Sequence, residues 1–174
     1  MKKAFFIDRD GTINKYIPYI TNINDFEIMD GVSSAIRMIN YSEWLAIVVT
    51  NQPQVAKGLL TNTEVDAMHE KMTNLLNING AKLDGIYYCP CVDCECRKPK
   101  QGMYLQAKND FDIDFEKSVF IGDTTRDIAV TKEIGGKSIL LNCGLGGKDN
   151  KYKVSPDYRC NDLYDAVKII LENK

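Results

Sequence analysis

Five short apolar runs, separated by segments whose apolar residues recur at helical spacing, constrain the fold of this chain most strongly. The runs are rich in β-branched and aromatic residues and do not alternate with polar ones, which is typical of strands buried on both faces of a parallel sheet. They cover residues 4–7, 45–49, 86–88, 119–121 and 138–141. Strands that alternate with helices along the chain predict an α/β fold with a doubly wound, Rossmann-like parallel sheet.

Helical periodicity fills the intervals between these runs. The helical segments are residues 31–40, 61–77, 102–110 and 125–134, and residues 161–174 predict a last helix. The second segment opens with Thr61-Asn62-Thr63-Glu64, a capping box with Thr61 as the N-cap. No repeat or linker-like stretch interrupts the 174 residues, so we expect residues 1–174 to form a single domain.

The net charge of −2 argues against nucleic acid or an anionic membrane as a partner, because no general positive field is present. No apolar stretch approaches the roughly 18 residues that a membrane span needs. The apolar run near the start, residues 4–7, is too short for a signal peptide. We therefore expect a cytoplasmic, monomeric protein with no nucleic-acid or membrane partner.

Polar residues follow four of the predicted strands at the point where each strand ends. Ligands of open parallel sheets bind outside the carboxyl ends of the strands, so we expect these side chains to converge on one rim. The candidates are Asp8 and Asp10 after the first strand, Thr50, Asn51 and Gln52 after the second, Arg97 and Lys98 after the third, and Asp123 after the fourth.

Asp8 and Asp10 are two residues apart, so a regular strand would place both carboxylates on one face. Like charges at that range need a hard cation or a shared proton. Magnesium accepts one or two carboxylates together with phosphate oxygens, and Asp123 supplies further charge. Lys98 and the Thr50 hydroxyl can hold a phosphoryl group from the other side. The pattern predicts magnesium-dependent phosphoryl chemistry.

The family of the haloacid dehalogenase-like phosphatases has four motifs, which resemble Asp8-Arg9-Asp10-Gly11-Thr12, Thr50, Lys98-Pro99 and the segment from Gly122-Asp123 to Asp127. Residues 83–90 and 94–103 are similar to the branch that contains the heptose bisphosphate and histidinol phosphate phosphatases. The resemblance implies that Asp8 is a nucleophile that forms an aspartyl phosphate, and that Asp10 is the acid and then the base. It implies a Mg²⁺ site formed by Asp8, Asp123 and the Asp10 backbone carbonyl, with Thr50 and Lys98 as further catalytic groups.

The resemblance also implies the substrate, a small phosphorylated sugar of heptose biosynthesis. The expected reaction is hydrolysis of the 7-phosphate of D-glycero-D-manno-heptose 1,7-bisphosphate. The substrate-binding residues would be Tyr19, Asn51, Gln52, Lys57 and Arg97. Thr124 stands where relatives carry a cation, so histidinol phosphate or another sugar monophosphate stays open as the substrate. Residues 13–49 and 53–97 leave no room for a cap domain beside the framework's own elements, so the enzyme should be capless.

Four of the six cysteines, Cys89, Cys91, Cys94 and Cys96, fall within eight residues. In a reducing compartment such clustering favours a metal over disulfides. Four cysteine ligands close a tetrahedral Zn²⁺ site, so we predict a small structural zinc-binding loop, with a reactive free-thiol loop or a partial metal site as the alternative.

Two rival functions share single features with this sequence. A zinc deaminase would need a His-x-Glu motif, and the only histidine, His69, is expected on a helix surface. A phosphoacceptor switch would retain its aspartyl phosphate, whereas Asp10 is placed to hydrolyse it. Both rivals are therefore rejected in favour of a phosphatase.

Overall fold

The computed structural model describes residues 1–172 and confirms the predicted parallel α/β sheet. Its strands are β1 (Lys3–Ile7), β2 (Trp44–Asn51), β3 (Gly85–Cys89), β4 (Val119–Gly122), β5 (Lys137–Leu141) and β6 (Tyr158–Cys160). They form one six-stranded sheet in the order β3-β2-β1-β4-β5-β6, and every neighbouring pair is parallel. The sequence did not reveal β6, because it has three residues and only Cys160 is buried.

The helices are α1 (Val32–Asn40), α2 (Asn62–Ile78), α3 (Gly102–Phe111), α4 (Thr125–Ala129), α5 (Thr131–Ile134) and α6 (Leu163–Glu172), with 3₁₀ turns at Ile23–Asp25 and Phe115–Lys117. The predicted capping box is present at Thr61 and Glu64. The helix predicted over 125–134 is divided at Val130, where the Thr131 hydroxyl donates to the Ile128 carbonyl and competes with the helical backbone. The last two residues of the predicted helix 161–174 lie outside the described residues.

Apolar side chains cover both faces of the sheet, which explains the unbroken apolar runs. Along β1, Phe5 and Ile7 belong to the cluster that includes α1, α2 and α6. Ala4 and Phe6 point to the other cluster, which includes residues of α3. Successive side chains of a strand point to opposite faces, so one run supplies both cores.

The order of the strands creates a switch point between β1 and β4. From β1 the chain proceeds to β2 and β3 on one side, and β4 leads to β5 and β6 on the other. Loops that leave β1 and β4 therefore diverge and open a cleft at their carboxyl ends.

The predicted capless architecture is confirmed, since residues 13–49 hold only the first 3₁₀ turn, α1 and most of β2, and residues 53–97 hold only α2 and β3. Within residues 1–172, no helix combines the length and apolar character that crossing a membrane requires.

Candidate active site

Three buried carboxylates meet at the switch point. Asp8 follows β1, Asp123 follows β4 and Asp127 lies in α4, and one oxygen of each lies within 4.8 Å of the others. Gly11 makes this approach possible: it has φ +85°, and a Cβ at that position would collide with the Asp123 carboxylate. The parallel strands thus bring together groups that are more than a hundred residues apart in the sequence.

Lys98 is the cation of this cluster. Its Nζ lies 2.6 Å from Asp8 Oδ1 and 2.7 Å from Asp127 Oδ1, and it donates to the Val49 carbonyl at 2.7 Å. Burial alone would lower the pKa of Lys98, but the charges of Asp127 and Asp8 outweigh it and hold that pKa above its usual value. The side chain is therefore a permanent, fixed positive charge beside Asp8.

One lysine does not neutralise three carboxylates. Burial and the Asp127 charge raise the pKa of Asp8 to about 7, and burial and the Asp8 charge raise that of Asp123 to about 8. Asp123 Oδ1 is buried without a hydrogen-bond partner among residues 1–172, while its Oδ2 accepts from the Leu145 N–H at 2.6 Å. Excess negative charge and an unpartnered carboxylate oxygen are what a divalent cation would satisfy, so the donor set fits Mg²⁺.

Asp127 belongs to the same motif as Asp123, and its position predicts that it orients Asp123 or holds a metal-bound water. One of its oxygens pairs with Lys98, and the other accepts from the N–H and hydroxyl of Thr124 at 3.0 and 2.7 Å. The sequence indicates Asp127 as a site residue through its spacing of four residues, about one helical turn, from Asp123. Because both oxygens are engaged, Asp127 serves Lys98 rather than offering a free metal ligand.

The Asp10 side chain does not join the carboxylate cluster. It accepts from Arg9 at 2.9 Å, from the Gln52 amide at 2.8 Å and from the Asn14 amide at 3.0 Å. The strand alternation that would have paired it with Asp8 does not apply, because β1 ends at Ile7. Burial would raise the pKa of Asp10, but the Arg9 charge and these hydrogen bonds outweigh it and lower that pKa.

The segment after β2 contributes in three different ways. Thr50 is buried, and its hydroxyl accepts from the Gln52 amide at 2.9 Å. The Asn51 side chain exchanges hydrogen bonds with the Lys98 backbone at 3.0 and 3.2 Å, which fixes the lysine-bearing loop. Gln52 was predicted to bind substrate; it is completely buried, and its amide contacts Thr50, Asp10 and Arg9.

A cleft of about 290 Å³ opens above these groups. Its border includes the predicted residues Asp8, Asp10, Tyr19, Thr50, Asn51, Arg97 and Lys98. It also includes Tyr16, Arg126 and Lys151, which no sequence motif indicated. Lys57 is not among the residues that line the cleft; its Nζ donates to the hydroxyl of Tyr19, which does line it, at 2.7 Å. The cleft therefore combines a carboxylate floor with a partly cationic wall.

Positively charged side chains accumulate on that wall, which Asp149 also borders. Burial and the neighbouring Arg126 charge lower the pKa of Arg97. In the described part of the chain, Arg97, Arg126 and Lys151 form no ion pair, and Arg97 donates only to the Cys91 carbonyl at 3.0 Å. Adjacent cations that face a cleft are a binding surface for an anion.

The four clustered cysteines lie together in the loop after β3. The structure joins Cys89 with Cys96 and Cys91 with Cys94 as disulfides, where the sequence predicted zinc-binding thiolates. The sulfurs of Cys89, Cys91 and Cys96 lie within 4.8 Å of one another. The loop thus brings three of its four sulfurs together, an arrangement that disulfides can use in oxidised protein and a metal ion in reduced protein.

The sequence is similar to bacterial heptose bisphosphate phosphatases along most of its length. The D-glycero-beta-D-manno-heptose-1,7-bisphosphate 7-phosphatase of Haemophilus influenzae is 39% identical over 182 aligned positions, which cover 98% of this chain and 97% of that protein. The D-glycero-alpha-D-manno-heptose-1,7-bisphosphate 7-phosphatase of Campylobacter jejuni is 40% identical over 143 positions, covering 80% of this chain and 83% of that protein. The HAD-hydrolase-like family model matches residues 95–166.

A solved structure shares the same architecture. The D,D-heptose 1,7-bisphosphate phosphatase from B. bronchiseptica, crystallised with magnesium and phosphate, has a TM-score of 0.90 and 27% sequence identity. The alignment covers 99% of each chain. The likeness therefore extends over the sheet, the helices and the loops that carry the site.

Proposed function

Because the chain belongs to the haloacid dehalogenase-like family of the heptose-1,7-bisphosphate 7-phosphatases, we propose that it hydrolyses the 7-phosphate of D-glycero-D-manno-heptose 1,7-bisphosphate. The observation that carries this proposal is the Asp8 carboxylate at the end of β1, with Lys98 2.6 Å away and Asp123 in the same carboxylate cluster. A nucleophile, a fixed cation and a metal ligand would then act on one phosphoryl group.

In the first half-reaction, the Asp8 carboxylate attacks phosphorus, the bond from phosphorus to the sugar oxygen breaks, and an aspartyl phosphate remains. Arrival of the phosphate anion favours the protonated form of Asp10 and so opposes the lowering of its pKa by Arg9. Asp10 then gives its proton to the departing sugar oxygen, while Thr50 and Lys98 hold oxygens of the transferring group. In the second half-reaction, Asp10 takes a proton from the water that attacks the aspartyl phosphate. This frees inorganic phosphate and restores Asp8.

Asp8, Asp123 and the Asp10 backbone carbonyl would hold Mg²⁺. When bound, it supplies positive charge that offsets the carboxylates and the phosphoryl oxygens. Lys98 remains paired with Asp127, so its position does not depend on the substrate.

The cationic wall supports a bisphosphate rather than a monophosphate. A non-reacting phosphate placed among Arg97, Arg126 and Lys151 would offset their mutual repulsion with charge-assisted hydrogen bonds. Arg126 and Lys151 supply the charge that Thr124 lacks. On this ground we favour the heptose bisphosphate over histidinol phosphate.

The direct test is a comparison of phosphomonoesters with and without a magnesium chelator. We expect kcat/KM for heptose 1,7-bisphosphate, measured with both anomers, to exceed that for histidinol phosphate, and the chelator to abolish both activities. Phosphate release measured at equal enzyme concentration gives the ratio. A preference for histidinol phosphate would move the assignment to that substrate.

Arg126→Gln should weaken binding of the bisphosphate selectively. Loss of one charge-assisted contact should raise KM for heptose 1,7-bisphosphate by about tenfold. KM for heptose 7-phosphate, which lacks the second phosphate, should change by less than about twofold. Arg159→Gln is the matched control, because Arg159 lies on β6 and does not border the cleft. Equal effects on both esters would remove Arg126 from the second-phosphate site.

We also propose that the reduced cysteine loop binds one structural Zn²⁺ in a reducing cytoplasm. The three converging sulfurs support this, because a tetrahedral all-cysteine site needs its ligands close together, and Cys94 of the same loop supplies the fourth. The loop carries Arg97, whose guanidinium is tied to the Cys91 carbonyl, and it leads directly to Lys98. The metal would therefore fix the loop that presents both cations to the cleft.

Protein purified under reducing conditions without chelator should contain about one zinc per chain by elemental analysis. Cys94→Ser should lower the zinc content, the thermal stability and the substrate affinity. Cys160→Ser, which changes a buried cysteine on β6, should leave the zinc content unchanged. Absence of zinc, together with four freely titratable thiols in the native protein, would contradict the proposal.

A further inference from the structure

Arg9 is the largest completely buried side chain of the described residues, and the proposed reaction gives it no part. Burying a guanidinium is costly unless its charge is paired and its N–H groups have acceptors. The contacts that satisfy Arg9 therefore show what this side chain does for the fold and for the site.

The Arg9 guanidinium forms an ion pair with the Asp10 carboxylate. Its Nη2 lies 2.9 Å from Asp10 Oδ2 and 3.0 Å from Oδ1, and its Nε lies 3.2 Å from Oδ1. The Asn14 and Gln52 amides donate to the same carboxylate. The Asp10 side chain keeps 19% exposure and borders the cleft. Asp10 is thus held from its buried side while its open side meets the substrate space.

A second anchor holds the guanidinium from helix α2. Arg9 Nη1 lies 3.2 Å from His69 Nε2, and Nη2 donates to Gln52 Oε1 at 2.9 Å. Because a guanidinium has only donors, Nε2 must be the unprotonated acceptor of a neutral imidazole. Burial and the Arg9 charge agree with this, since they lower the pKa of His69 to about 3. His69 is therefore buried against the site, and the expectation of a surface histidine is wrong.

We propose that Arg9 is a positioning residue that fixes the Asp10 carboxylate for proton transfer to the sugar oxygen, and that His69 keeps Arg9 in that orientation. The inference rests on the proposed role of Asp10. Displacing a proton donor by about 1 Å can cost as much as a hundredfold in rate, so this distant contact has a measurable effect.

Two esters separate positioning from general damage to the fold. A sugar oxygen needs a proton as it leaves, whereas p-nitrophenolate is a stable anion that leaves without one. The ratio kcat/KM includes steps only up to the aspartyl phosphate, so its later hydrolysis does not enter. We compare heptose 1,7-bisphosphate with p-nitrophenyl phosphate, and use Asp10→Asn as the reference for complete loss of the acid.

His69→Leu removes the acceptor while keeping an apolar side chain in place. It should lower kcat/KM for the sugar phosphate by about tenfold to a hundredfold, and that for p-nitrophenyl phosphate by less than about threefold. His69→Gln offers a carbonyl acceptor and should recover most of the loss. Arg9→Lys keeps the charge but not the fork, so it should show the same selective loss.

If His69→Leu lowers kcat/KM equally for the two esters, or leaves both unchanged, the inference is overturned. If that variant does not fold, the same ratio in Arg9→Lys decides. If Asp10→Asn lowers kcat/KM mainly for the sugar phosphate but the His69 and Arg9 variants do not, only the positioning role of Arg9 and His69 is excluded. Where Asp10→Asn itself lowers both esters equally, the proposed role of Asp10 fails and the inference fails with it.

Discussion

Asp8→Asn is expected to lower turnover of the sugar phosphate by at least about a thousandfold, because an amide is a far poorer nucleophile than a carboxylate. The fold should survive. Burial and the Asp127 charge already disfavour the ionised form of Asp8, so a neutral amide of the same shape removes an unfavourable charge. Lys98 keeps its pairing with Asp127 at 2.7 Å. Steady-state phosphate release and a thermal melt measure the two effects.

Turnover and melting temperature of Asp8→Asn must be compared together. A large loss of turnover with an unchanged or higher melting temperature assigns Asp8 to the chemistry and not to the fold. Activity within about tenfold of the wild type would exclude Asp8 as the nucleophile, because loss of a nucleophile costs far more.

Lys98→Met should be the most damaging substitution for stability. Removing one partner of a buried ion pair typically costs about 3–5 kcal/mol of unfolding free energy, since the remaining charge stays buried and unpaired. Here two carboxylates, Asp8 and Asp127, lose their cation, and the Val49 carbonyl loses a donor. Turnover should also fall strongly, because the proposed contact with the transferring group is lost. Chemical denaturation at neutral pH measures the stability difference.

Lys100→Met is the matched control two residues away. Lys100 pairs with Asp93 and Glu95 on the surface, where ion pairs contribute little. We expect its denaturation curve to coincide nearly with that of the wild type. Similar curves for both variants would show that the buried network around Lys98 does not stabilise the fold.

Much of the fold could be predicted because parallel strands leave a strong mark in a sequence. Strands covered on both faces must be apolar throughout, so β1, β2 and β4 were visible as unbroken runs. The edge strand β6 has one buried residue and left no such mark. The break at Val130 depends on one local hydroxyl contact, which apolar periodicity does not encode.

The convergence of Asp8, Lys98 and Asp123 could be predicted for the same reason, since carboxyl ends of parallel strands meet at one edge. The direction in which the Asp10 side chain points could not be predicted from the sequence. It depends on Gln52, which is 43 residues from Arg9 in sequence, and on His69, which is 60 residues from it. Such contacts exist only once the sheet and α2 have packed.

The cationic wall also required the structure. Lys151 reaches the cleft because the segment after β5 folds back over Asp123: the Gly147 N–H donates to the Asp123 carbonyl at 2.7 Å. The Asp149 carboxylate secures this segment by accepting from the Thr125 backbone and hydroxyl at 2.8 and 2.6 Å. Sequence alone showed only the charge missing at Thr124; this return of the chain brings Lys151 to the cleft, beside Arg126 of α4.

In the proposed mechanism the phosphoryl group is transferred first to Asp8. Acid quenching during turnover, followed by borohydride reduction and peptide mass spectrometry, identifies the aspartate that carries an acyl phosphate. Asp10→Asn with p-nitrophenyl phosphate is the combination to use, because this leaving group needs no acid, while loss of the base should slow hydrolysis of the aspartyl phosphate and let it accumulate. We predict reduction at position 8 only, dependent on substrate and magnesium. Reduction at another aspartate, or none at position 8 while the quenched enzyme is turning over, would contradict the covalent mechanism.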